Sequence, residues 1–399
     1  MPTYKFLLSI FDRKHVNKYF IAALALLAGM SIAGCSEDGG TSSTSLEKVD
    51  SLTLPTGTVT NPFRVSVPSD ASSLTIIADG GDASDIDIYS ITDPTGAEMV
   101  VWNSSNDLVG RNSTENFGQS ALSFTIPHSS DYAFNSGEWS FEIANVGSTF
   151  VSEGSKEVSI YTIIKTGLGS KLDVNVWIVA IQDYTGTDDK NLAVIIDEFK
   201  RIMENAGVTI GNVNIRELTG SQAELLTFPD MSTDSNVNKQ PDDLDDLFRL
   251  SSQTGNDYLN LFFVTSMGSG LLGRAGGIPG IPLLQGTAHS GVVVSTMGGF
   301  TQMPPAQLLV QGATIAHEVG HYLGLYHPTE RSGKTFDPIS DTPECRAETY
   351  DTDGDGVVTS NECKNLDGPN LMFWSSASYV QDTFSSMQED AIKRHPSVK

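Results

Sequence analysis

The chain has 399 residues, 39% of them hydrophobic and 18% charged, which allows two or three domains and a real buried core. Its formal net charge of −25 argues against a nucleic-acid-binding surface, because phosphate recognition needs a basic one. The same acidity fits a solubilised extracellular protein.

The N-terminal stretch carries Lys5, Arg13, Lys14 and Lys18, followed by an apolar run from Tyr19 to Gly34. That run is too short to span a membrane comfortably and reads as a signal peptide over residues 1–34. It ends in Ile32-Ala33-Gly34-Cys35, which resembles the bacterial lipobox. The resemblance implies cleavage before Cys35, acylation of its thiol and attachment to a membrane through that lipid. Ser36 after the cysteine favours an outer-membrane or surface address by the same resemblance. With Cys35 lipidated, Cys345 and Cys363 remain as an even pair. In an exported protein such a pair reads as a disulfide, two free buried thiols being the alternative.

Residues 35–60 are rich in Ser, Thr, Gly and acids and read as a flexible tether, since they offer little to bury. Short alternating stretches then recur between turn residues, at Phe63–Val67, Ser73–Ile77, Ile86–Ile91, Ala121–Ile126 and Trp139–Ile143. They predict an all-β sandwich over residues 61–166. Within it Asp79, Asp82, Asp85 and Asp87 could hold calcium, although solvated turn carboxylates are the simpler reading.

From residue 172 the period changes. Leu172, Val174, Val176 and Ile178 alternate along a strand, and Leu192, Ile195, Ile196, Phe199, Ile202 and Met203 recur at helical spacing up to a capping Gly207. Strands follow at Val213–Ile215, at Tyr258–Val264 and, as an edge, at Gly291–Ser295. Strands alternating with helices point to an α/β or α+β domain over 172–399. The glycine-rich stretch from Gly268 to Gly286 lacks phosphate-loop spacing and reads as a surface loop shaping substrate access.

The chemistry is concentrated in His317-Glu318-Val319-Gly320-His321-Tyr322-Leu323-Gly324-Leu325-Tyr326-His327. A helix begins before it at Pro305, a residue suited to a first turn. Histidines four apart share one face of that helix, and Gly324 can end it and turn the chain so that His327 completes a three-histidine zinc site with one position open. Glu318 is placed as general base beside a water in that position. The whole string resembles the metzincin clan of metallopeptidases. Ser340-Asp341-Thr342-Pro343 is similar to an element of the pappalysin branch. The resemblance implies a twisted sheet with an active-site helix above a lower subdomain, zinc, and a protein or peptide substrate. It also implies a methionine turn at Asn370–Trp374, with Met372 as an apolar floor beneath the imidazoles. Trp374 stands where several metzincins have a tyrosine.

Between those elements, Asp351 to Glu362 matches the twelve-residue EF-hand loop. Asp351, Asp353, Asp355, the Val357 carbonyl and Glu362 would be its structural calcium ligands, with Gly356 at the sharp turn. A last helix carries Phe384, Met387, Ala391 and Ile392 on one face, with Ser386 and Glu389 at capping-box spacing. These features predict a lipid-anchored zinc endopeptidase. A catalytically silent surface-binding or adhesion lipoprotein on a peptidase scaffold is the alternative, and zinc hydrolysis of a non-peptide bond is a third.

Overall fold

The computed structural model describes residues 42–81, 86–101, 120–131, 133–146, 155–229, 243–268 and 270–399. The signal-peptide segment, Cys35, Asp82 and Asp85 lie outside them. Among the described residues no helix is long and apolar enough to cross a membrane.

The N-terminal half is two antiparallel sheets. One runs β1 (Ser43–Pro55), β9 (Ser155–Thr166), β4 (Ala71–Asp79), β7 (Ala121–Ile126). The other runs β2 (Thr58–Val59), β8 (Gly137–Asn145), β5 (Ile86–Thr92), β6 (Glu98–Val101), with β3 (Phe63–Val67) also paired to β8. Leu74, Ile76 and Ile160 from the first sheet meet Ile88, Trp139 and Ile143 from the second in one apolar core. Each such burial contributes about 1.5–3 kcal/mol.

Two expectations fail here. Ser43–Pro55 is not tether but a strand, in antiparallel register with β9 along its length. It is an edge strand, so backbone hydrogen bonds hold it while most of its side chains face water, and a polar sequence suits that place. Asp87 is not a turn carboxylate in water but lies within β5, 1% exposed. Asp79 is the last residue of β4, where its carboxylate accepts the Gly81 N–H at 3.0 Å.

The C-terminal half is built on a five-stranded sheet in the order β11 (Thr209–Leu218), β10 (Lys171–Val179), β12 (Leu259–Val264), β14 (Val292–Ser295), β13 (Gly273–Ala275). The first four strands are parallel and β13 is antiparallel. The strand expected at the edge, β14, is therefore interior, and part of the glycine-rich stretch forms the edge instead. Helix α1 (Lys190–Asn205) is capped by the Asp189 carboxylate, which accepts the Asn191 and Leu192 N–H groups, a cap of about 1 kcal/mol. Helices α2 (Ser221–Leu226) and α3 (Asp243–Arg249) cover the opposite sheet face around Trp177 and Phe262. Helix α4 (Pro305–Tyr322) lies beside α1, with Ile315 and Val319 against Val176, Ile178 and Phe263. The two helices approach closely at Gly312, where a Cβ would stand 2.8 Å from the Ile195 carbonyl oxygen. Below α4 the chain forms a short α5 (Ala347–Tyr350) and the last helix, α6 (Ser386–Arg394). The α6 cap is one residue earlier than the spacing suggested, a capping box of Ser385 and Gln388. Gln388 is fixed there because its side chain also accepts from Asn370 Nδ2, at 2.7 Å.

Candidate metal centre

Helix α4 presents His317 and His321 one turn apart. Its last hydrogen-bonded residues are followed by Gly324 at φ +103°, a conformation that side chains resist, and the chain reverses there to bring His327 back. His327 Nε2 stands 3.1 Å from His321 Nε2 and 3.3 Å from His317 Nε2. Nitrogens about 2.0–2.1 Å from one tetrahedral zinc lie about 3.3–3.4 Å apart, so the triad fits that ion. Each opposite ring nitrogen has a partner: Nδ1 of His317 faces the Leu371 carbonyl at 2.8 Å, that of His321 the Leu325 carbonyl at 2.7 Å, and that of His327 the Glu330 carboxylate at 3.0 Å. These acceptors fix the tautomer with Nε2 unprotonated. Burial, reinforced by the His327 ring, lowers His317 to about 4, so it stays neutral. Glu330 is a partner that the sequence reading missed, although its place three residues after His327 offered a signal.

Glu318 points toward the edge strand. A Cβ on Gly273 would stand 2.6 Å from Glu318 Cγ, so β13 passes directly against this side chain. Burial pushes the Glu318 carboxyl up to about 8, opposed by the Ala275 N–H and by Arg274. A divalent cation at the triad would draw it back toward the ionised form.

Met372 is fully buried beneath the triad's helix; a Cβ on Gly320 would stand 2.4 Å from its Sδ. Its turn is held by Asn370, whose Oδ1 accepts the Met372 N–H at 2.9 Å. Trp374 donates its indole N–H to the Val358 carbonyl at 2.8 Å, under the Arg331 guanidinium. It therefore ties the Asn370–Trp374 turn to the lobe that follows α5.

That lobe is closed by a disulfide between Cys345 and Cys363, their Cα atoms 5.7 Å apart. Carboxylate oxygens of Asp351, Asp353 and Asp355 come within 4.8 Å of one another, around Gly356 at φ +81°. Glu362 is turned elsewhere in this structure: Oε1 accepts the Thr352 N–H and Oε2 the Thr359 N–H, both at 2.8 Å. Desolvation opposes the charge, and the four Thr352 and Thr359 donors together outweigh it and hold the carboxyl down to about 2.

Beside the lobe, Asp341 Oδ2 accepts the Met387 N–H at 3.0 Å and so joins the Asp-Thr-Pro element to α6. Asp337, whose Oδ1 faces the Thr342 hydroxyl at 2.6 Å, is pushed up to about 7 by burial, with Asp367 and Asp341 adding to the shift. A carboxyl raised above its unfolded value of 3.8 favours the folded state at low pH, and that contribution is lost as pH rises through about 7. Asp337→Asn, which keeps the hydroxyl contact, is therefore expected to raise the melting temperature more at pH 8 than at pH 5. An equal shift at both values, measured calorimetrically with chelator present, would count against an ionising Asp337.

Residues 246–392 match the family model described as pregnancy-associated plasma protein-A, the pappalysin metallopeptidases. That span holds the triad, Glu318, the Asp-Thr-Pro stretch and Met372. This region is similar to the pappalysin metallopeptidases. Extracellular metalloproteases of Arthroderma benhamiae and Trichophyton verrucosum are each 38% identical over 93 residues, 21% of this chain and 31% of theirs. One from Arthroderma otae is 36% identical over 90 residues, 21% of this chain and 32% of its own. The chain thus spans about a third of the length of these relatives. A solved structure of mirolysin in complex with compound 9 covers 57% of this chain and 91% of its own, at 17% identity and a TM-score of 0.35. Neither the sandwich nor strands β10 and β11 fall within the pappalysin match.

Proposed function

We propose that the chain is a zinc-dependent endopeptidase, exported and anchored through a lipid on Cys35, acting on protein or peptide substrates. The observation that carries this reading is the convergence of three Nε2 atoms at zinc spacing, with the Glu318 carboxylate on the same helix facing the sheet edge. Bound at the triad, zinc would supply a water of pKa about 7 and polarise a substrate carbonyl. Glu318 would take the proton from that water and return it to the leaving amine. Edge strand β13 would lie along an extended substrate, since its outer side has no further strand among the described residues. Leu371, Leu325 and Glu330 would keep the imidazoles aimed, and Met372 would keep water from beneath them.

The test is cleavage of an unfolded protein by the chain lacking residues 1–35. Cleavage should vanish with a zinc chelator and return on adding zinc. A protein that binds one zinc yet cuts nothing would turn the reading toward a binding lipoprotein.

The acidic lobe would bind one calcium ion through Asp351, Asp353, Asp355 and the Val357 carbonyl, with Glu362 swinging in as the closing ligand. Calcium should then raise the melting temperature of the wild type and leave that of Asp353→Asn unmoved. For the anchor, labelled fatty acid should enter the full chain and be absent from Cys35→Ser.

A further inference from the structure

Part of the outward face of the sandwich sheet β1–β9–β4–β7, around β4, β7 and the end of β9, is buried. In β4, Leu74, Ile76 and Ala78 enter the sandwich core, yet Ile77 between them is also fully buried, packed with Ala121, Ile163 and Ile281. Ile281 belongs to the loop between β13 and β14, where Tyr322 of α4 donates its hydroxyl to the Ile281 carbonyl at 2.6 Å. Ser123 of β7 reaches the neighbouring Gly280 carbonyl at 2.8 Å. Close by, Phe124, Pro127 and His128 line a small cavity with Leu323, Gly324 and Tyr326, the turn that carries His327.

On the same sheet face Lys165 is fully buried. Its ammonium donates to three carbonyls of the last segment, those of Lys393 at 2.6 Å, His395 at 2.9 Å and Val398 at 2.5 Å. The His395 ring in turn packs edge-on to Tyr322, with centroids 5.5 Å apart. Around this peg, Ser73 donates to the Arg394 carbonyl at 2.7 Å and Arg394 to the Ser72 carbonyl at 2.6 Å. The joint thus combines buried apolar packing with specific polar contacts. A buried ammonium without its acceptors is costly, so the peg favours the docked arrangement alone.

We infer that the β-sandwich is a permanent structural half of the metal centre, with Lys165 as the positioning residue that fixes the last segment against the end of α4. A detachable pro-segment or an independently swinging binding module would not bury these groups against its neighbour. The inference rests on the zinc-peptidase reading only for its effect on activity; the docking itself is independent of it.

The experiment inserts a specific protease sequence between Gly167 and Leu168, in the link between the halves, where Leu168 is 44% exposed. After cutting the otherwise complete chain, the two fragments should elute as one species with one melting transition. Fragments of the wild type that part into two folded species would overturn the inference. Cut Lys165→Met should part into two species; if it stays joined with an unchanged melting temperature, Lys165 is not the peg. A cut wild type that stays joined but takes up no zinc would keep the docking and overturn the peptidase reading instead.

Discussion

Glu318→Gln is expected to lower kcat/KM on an unfolded protein substrate by about 10²–10⁴-fold while one zinc stays bound. The glutamine has the same shape, so it can occupy the narrow space beside Gly273, where a Cβ would come 2.6 Å from Glu318 Cγ. What it cannot do is accept a proton. The three imidazoles keep their own acceptors at Leu371, Leu325 and Glu330, so the metal should be retained. Turnover paired with zinc content by mass spectrometry separates the outcomes. Wild-type turnover would remove Glu318 from the chemistry, and loss of zinc would give it a structural part instead.

Replacing Cys345 and Cys363 together by alanine is expected to destabilise the protein by about 3 kcal/mol, for a bridge closing a loop of this size (a separation of 18). For a domain of this class that corresponds to a melting temperature lower by roughly 6–12 °C. Both cysteines are fully buried with Val358 and Phe373, so the bridge also sits at the centre of the lobe's small core. The segment from Ala347 to Glu362 should become a preferred site of proteolytic nicking in the double variant. Unchanged melting and nicking would mean that the core, and not the bridge, holds the lobe.

The convergence of the three histidines was legible in the sequence because its geometry is local. His317 and His321 are one helical turn apart, and Gly324 returns the chain within three residues, so spacing alone brings three imidazoles together. The acceptors that aim the imidazoles were not legible, since two of the three are backbone carbonyls and every residue has one. Apolar alternation located β3, β4, β5, β7 and β8 for the same local reason. Strand β1 escaped because an edge strand is held by its backbone, and Ser43–Pro55 carries little of the alternation that burial imposes. β13 is three residues long, below the length at which any period can be read. The sequence places serines at both 385 and 386, and only the contact between Gln388 and Asn370 decides which one caps α6. The joint between the halves left no trace at all: Lys165 reads as one more polar residue on a strand, and its partners are carbonyls.

The separation between Lys165 and Val398 is 233 residues. A ribosome delivers the sandwich long before the segment that accepts its ammonium. Until then Lys165 is solvated, α4 lacks His395 against Tyr322, and the sandwich face around Ile77 is open. Contacts this remote in sequence form late and slowly. Assembly order therefore acts as a timer: a nascent chain would carry all three histidines before it had the brace that sets their helix.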